Sequence, residues 1–77
     1  MRDQGMTQLA IEGQKFDGEI KLKRRALEQF HMACVYGTFG KGRRSELREV
    51  HGQLQLWVGD EWGLKGFTAL LEWLRPR

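Results

Sequence analysis

SELREVHGQLQLWV, residues 45–58, is the stretch on which the architecture turns. At 100° per residue, Leu47, Val50, Leu54, Trp57 and Val58 fall within an arc of about 100°, and Ser45 stands where an N-cap would; this predicts a helix over 45–58. Leu56 breaks the stripe. The competing reading ends the helix at Gly52, because glycine inside a helix costs about 1 kcal/mol relative to alanine. It makes Gln53 to Val58 a strand, with Leu54, Leu56 and Val58 alternating toward a core. Five positions match the helical period and three the strand period. Composition adds weight to the helix: Leu, Glu, Gln, Lys and Arg dominate, whereas Val, Ile and Thr together number eight. The expectation is therefore a mostly-α domain, a bundle of three helices near 18–36, 45–58 and 60–74, with an irregular or short-strand N-terminal segment. The alternative is an α+β arrangement with strands near 7–12 and 53–58.

Upstream, Ile20, Leu22, Ala26, Leu27, Phe30, Ala33 and Cys34 share one side of a helical wheel. Lys21, Arg24, Arg25, Glu28 and His31 lie opposite. Asp17 offers an N-cap and Gly37 a left-handed C-terminal cap. Asp17-Gly18 is also a hairpin signal, but a two-residue loop there would set Ile20 against Lys15 and Leu22 against Gly13, which is poor cross-strand chemistry. TQLAIE, residues 7–12, alternates weakly between Gly5 and Gly13, and residues 1–6 read as a disordered leader.

Downstream, Asp60 can cap a final amphipathic helix that Pro76 prevents from continuing. Leu64, Phe67, Leu70, Leu71 and Leu74 form an apolar arc suited to the domain's own core. Trp62, Gly66, Ala69 and Trp73 form a second face, an aromatic-flanked groove that would admit another helix. Tryptophan is enriched among interface hot spots, so these four are the candidate protein-interaction residues.

Seventy-seven residues make one small domain, expected to span the whole chain, and a lone cysteine rules out an internal disulfide as its support. A single thiol fits a reducing compartment, the first twenty residues lack the layout of a signal peptide, and the longest apolar run is Met32 to Tyr36. A cytoplasmic protein with no membrane partner is expected. The net charge of +3 is unevenly placed: residues 17–44 hold seven basic against three acidic side chains, and residues 45–77 hold four against five.

No catalytic, cofactor or metal set stands out. His31 and Cys34, three apart, have the residue types of a thiolate pair, but Cys34 lies inside the apolar arc and reads as core. Two histidines and one cysteine in separate segments do not make a zinc site. The glycine-rich basic loop Gly37 to Arg44 is more suggestive. Its Lys41, Arg43 and Arg44, supported by Lys21, Arg24 and Arg25, are the candidate nucleic-acid or anion-binding residues. Phe39-Gly40-Lys41-Gly42, followed by Leu47, Val50 and Gly52, resembles over about fifteen residues the loop-and-helix core of KH RNA-binding domains. Arg43 stands where that family's closing glycine would be. The resemblance implies a loop clamping nucleic-acid backbone between two helices. Two functions are thus expected: a non-enzymatic interaction module (adaptor, inhibitor or self-assembling regulator) whose partner is itself, as a homodimer, or another protein; or, as the alternative, a small basic protein that binds DNA or RNA.

Overall fold

The structure, a computed structural model, describes residues 5–75. Its elements are β1 (Met6–Ile11), β2 (Lys15–Phe16), β3 (Ile20–Lys21), α1 (Arg24–Val35), β4 (Ser45–Val50), β5 (Gln53–Gly59), a 3₁₀ turn (Asp60–Trp62) and α2 (Leu64–Leu74). The three-helix bundle is thereby corrected: the fold is α+β, with two helices and two antiparallel sheets. Of residues 1–6, residues 1–4 lie outside the described residues, while Met6 begins β1 and the Gly5 carbonyl accepts the Asp60 N–H at 2.8 Å.

Residues 45–58 form a hairpin, not a helix. His51 and Gly52 occupy a two-residue turn with φ of 52° and 77°, and Val50 pairs with Gln53 directly across it. Two consecutive positive φ values close a tight hairpin and cannot lie inside a right-handed helix. The glycine that weakened the helical reading is the hinge of the turn. β5 is then the central strand of the order β1-β5-β4. It sends Leu54, Leu56 and Val58 into the core, each at most 5 % exposed. The alternation seen over 53–58 is therefore the one that folds, as is the weak strand near 7–12. In β1 the register shifts between Gln8 and Ala10, so Leu9 and Ala10 are both buried. That bulge explains the weak alternation.

The first helix is shorter than the wheel implies. Asp17-Gly18-Glu19 is a three-residue loop, with φ of 57° at Asp17 and 77° at Gly18, that closes the β2–β3 hairpin. Its register sets Phe16 against Ile20 and Lys15 against Lys21, one step from the pairing tested with a two-residue loop. Asp17 thus serves a turn, and Lys23, in extended conformation, precedes α1. At the other end Gly37 adopts φ 78°. Its N–H bonds to Cys34 O at 3.3 Å and the Thr38 N–H to Ala33 O at 2.9 Å. This left-handed cap matches the expectation for Gly37.

Both helices pack on one face of the sheet. α1 lies along β4, with His31 beside Ser45 at one end and Arg24 beside Glu49 at the other. Phe30, Leu27, Cys34 and Leu70 are fully buried between the helices and β5. On the opposite face the Arg48 guanidinium sits 3.9 Å above the centre of the Trp57 ring, and the Trp57 indole N–H donates to Gln55 Oε1 at 3.0 Å. Among the described residues, no helix is long and apolar enough to cross a membrane.

Candidate interaction surface

α2 carries two apolar stripes, and a two-layer domain can cover only one. The stripe it covers is the tryptophan side. Trp62 is 5 % exposed and Gly66 is buried. Trp73 is half-buried, and Phe30 stacks on Trp62 at 5.8 Å and meets the edge of Trp73 at 6.2 Å. Phe39, from the glycine-rich loop, completes the cluster at 5.5 Å from Trp62 and 6.0 Å from Trp73. Two indoles offer more apolar area than any other pair in the chain, and the missing side chain at Gly66 lets the helix approach Val58 and Leu9. Trp62, Gly66 and Trp73 are therefore packed within the domain. Ala69 and Trp73 keep partial exposure at a hollow of about 290 Å³ lined also by Thr38, Phe39 and Glu72.

The stripe left outside belongs to the arc expected to be core. Leu70 is fully buried and Leu74 packs against the core, but Leu64 is 81 % exposed and Phe67 37 %. Leu71 is half-buried beside them. The β2–β3 hairpin adds Phe16, whose ring stacks on Phe67 at 6.3 Å with 4° between planes. Phe16, Asp17, Phe67, Thr68 and Leu71 surround a hollow of about 330 Å³. Periodicity had revealed both stripes; which one meets the sheet depends on Gly63, whose φ of 52° separates the 3₁₀ turn from α2 and resets the helix direction. Asp60 does not cap α2, and its carboxylate accepts the Thr7 hydroxyl instead.

The candidate basic residues do not assemble into one surface. Arg44 grips Glu61 through two contacts, at 3.3 and 3.0 Å, and donates to the Gly5 carbonyl at 2.7 Å. Its guanidinium holds the Glu61 carboxyl below the ordinary carboxylate range. Arg24 reaches Glu12 at 3.1 Å and Glu49 at 3.5 Å. Positions 44 and 49 flank the two ends of β4, about 17 Å apart at the rise of a strand. The Arg43 guanidinium lies 5.4 Å from the Trp62 ring centre, while its backbone N–H bonds to Cys34 O at 2.8 Å. Lys21, Arg25 and Lys41 are exposed on three different segments. The loop that resembles a KH motif runs from α1 into β4 rather than into a second helix, so the two-helix clamp is not formed.

His31, Ser45 and Cys34 meet at the α1–β4 contact. Ser45 Oγ lies 2.7 Å from His31 Nδ1. Burial pushes the Cys34 thiol up to about 11, against the smaller opposing effects of Ser45 and Arg43. A thiol so shifted is protonated at neutral pH and is a poor nucleophile. Among the described residues no group of three His, Cys, Asp or Glu side chains is placed to hold a metal ion.

No protein family matches the chain, and no curated protein or solved structure is similar to it.

Proposed function

We propose that the chain is a non-enzymatic protein-interaction module that docks its partner on the outward stripe of α2. One observation carries this reading: Leu64 stands 81 % exposed on the same stripe as Phe67 and Leu71, with Phe16 extending it onto the hairpin. Contiguous apolar side chains rimmed by polar ones mark association surfaces in soluble domains. The rim here is Lys65, Thr68 and Glu72. The interface so proposed is not the side holding Trp62, from the 3₁₀ turn, and Trp73, but the opposite side of α2. The nucleic-acid alternative draws less support, because Arg24 and Arg44 are spent on carboxylates within the fold and Arg43 on an indole. Catalysis draws less still, with the only thiol buried and protonated.

A photo-crosslinking amino acid placed in turn at positions 64, 71 and 36 tests the proposal in cells expressing the chain. Tyr36 belongs to a rival exposed patch with Met32 and Val35 at the end of α1. Covalent adducts identified by mass spectrometry at 64 and 71, and absent at 36, are the expected outcome. Adducts at 36 alone, or none at 64 and 71, refute it.

A further inference from the structure

Resting on that docking face, we infer that its occupant is a second copy of this chain, joined through α2 in an antiparallel pair about a twofold axis. An isologous contact requires one surface patch to complement itself. The α2 stripe does so in shape. Leu64 projects as a knob, 81 % exposed, and the hollow among Phe16, Asp17, Phe67, Thr68 and Leu71 lies about 7 Å further along the same face at the rise of a helix. With the twofold axis passing between Phe67 and Thr68, Leu64 of each copy comes opposite Leu71 of the other. Each knob then meets the Leu71 end of the other copy's hollow, whose 330 Å³ accommodates a leucine side chain.

The charges complement each other about the same centre. Lys65 and Glu72 project from one flank of the stripe, seven residues apart, too far along the helix to pair with each other. Among the described residues neither belongs to an ion pair within the chain. A twofold axis midway between them lies within one residue's rise of the axis that matches Leu64 to Leu71. It keeps their flank on the same side in both copies, so Lys65 of each faces Glu72 of the other. A seam of three helical residues and one phenylalanine is smaller than a standard interface, so the pair is expected to form at tens of micromolar and above.

Sedimentation of the full chain from about 5 to 500 µM tests the pairing. Wild type is expected to pass from 9.0 kDa to twice that mass across the range. Leu64→Glu is expected to stay monomeric throughout with an unchanged circular-dichroism spectrum, since so exposed a side chain contributes little to the fold. Lys65→Glu or Glu72→Lys alone turns both symmetric attractions into repulsions and should weaken dimerisation roughly 3- to 10-fold, whereas the double swap should recover it to within about 3-fold. A wild type that is monomeric at every concentration overturns the inference, as does a dimer indifferent to Leu64→Glu or a double swap that fails to recover. The two levels separate cleanly. A monomeric wild type that crosslinks from position 64 to a different identified protein overturns self-pairing and leaves the docking face standing. A monomer with no adduct at 64 overturns both.

Discussion

Gly66→Ala should stabilise this domain, although Gly66 is buried where α2 faces Val58 and Leu9. A Cβ built there lies 3.6 Å from Trp62 Cε3, 3.6 Å from Val58 Cγ2 and 3.7 Å from Leu9 Cδ1, which is ordinary van der Waals separation on all three sides. The backbone at Gly66 is right-handed helical, so alanine adopts it without strain. Two gains then add. Replacing glycine in a helix removes about 0.5–1 kcal/mol of excess chain entropy, less in a first turn than mid-helix. Burying one methyl group contributes about 0.8 kcal/mol. Together these give about 1–1.5 kcal/mol, which in a domain of this size raises Tm by roughly 4–12 °C. Thermal and urea unfolding followed by circular dichroism measure it.

The control is Gly66→Leu. Its branches extend beyond Cβ into space held by Trp62, Val58 and Leu9, and overpacking of that kind costs about 1–3 kcal/mol. A fall in Tm for the alanine variant would refute the packing described for α2. Equal gains for alanine and leucine would refute it too, because they would mean that this face is open, as a groove awaiting a partner helix would be.

Other outcomes follow from the same geometry. His51 holds φ 52° in the β4–β5 turn, a conformation asparagine tolerates better, so His51→Asn should raise the urea midpoint, whereas Gly52→Val should lower it by more than about 1 kcal/mol of stability. Phe30→Ala removes a fully buried ring that touches Phe39, Trp62 and Trp73, and should cost about 3–5 kcal/mol of the roughly 4–12 kcal/mol expected for 77 residues. Calorimetry would show that as a fall in Tm of roughly 12–40 °C. Cys34 should resist thiol reagents in the folded protein at pH 8. Because burial raises its folded value from 9.0 to about 11, the folded state holds that proton more tightly. Stability should therefore fall as pH rises from about 9 to 11, and Cys34→Ala should flatten that fall.

What the sequence made legible was local, and what it concealed depended on contacts between distant residues. The α1 core positions, the Gly37 cap and the alternation of Leu54, Leu56 and Val58 all follow from spacing alone. The helical reading of 45–58 failed because Leu47, Val50, Leu54 and Trp57 match a helical period by coincidence. Leu47 and Leu54 do share the inner face of the hairpin, while Val50 and Trp57 point to the other side. His51-Gly52 lacks the asparagine or aspartate that usually announces a two-residue turn, so two positive φ values had no strong local signature. The α2 faces were visible as faces, but not their assignment. Choosing the buried one requires knowing that Phe39 folds back from the loop onto Trp62 and Trp73, and that Gly66 meets β1 and β5. Basic residues were countable too, yet the carboxylates that occupy Arg24 and Arg44 come from 12, 25 and 17 positions away.

The outward stripe of α2 is a consequence of how little sheet this chain builds. Three strands present one inner face, and β5 supplies only Leu54, Leu56 and Val58 to it. α1 takes the β4 side of that face through Ser45 and Glu49, leaving α2 over the β1–β5 side, where Leu9 and Val58 meet Gly66. Among the described residues no further strand or helix lies beyond α2 to cover its far flank, which the β2–β3 hairpin reaches through Phe16 and Asp17. A helix of 11 residues with leucines and aromatics on both sides therefore keeps one side in water. Small domains without disulfides have little stability to spare, and any partner that binds the folded form alone adds to it in proportion to the logarithm of its concentration. Covering Leu64, Phe67 and Leu71 would thus strengthen the same helix whose inner face closes the core, so recognition and folding are linked through α2.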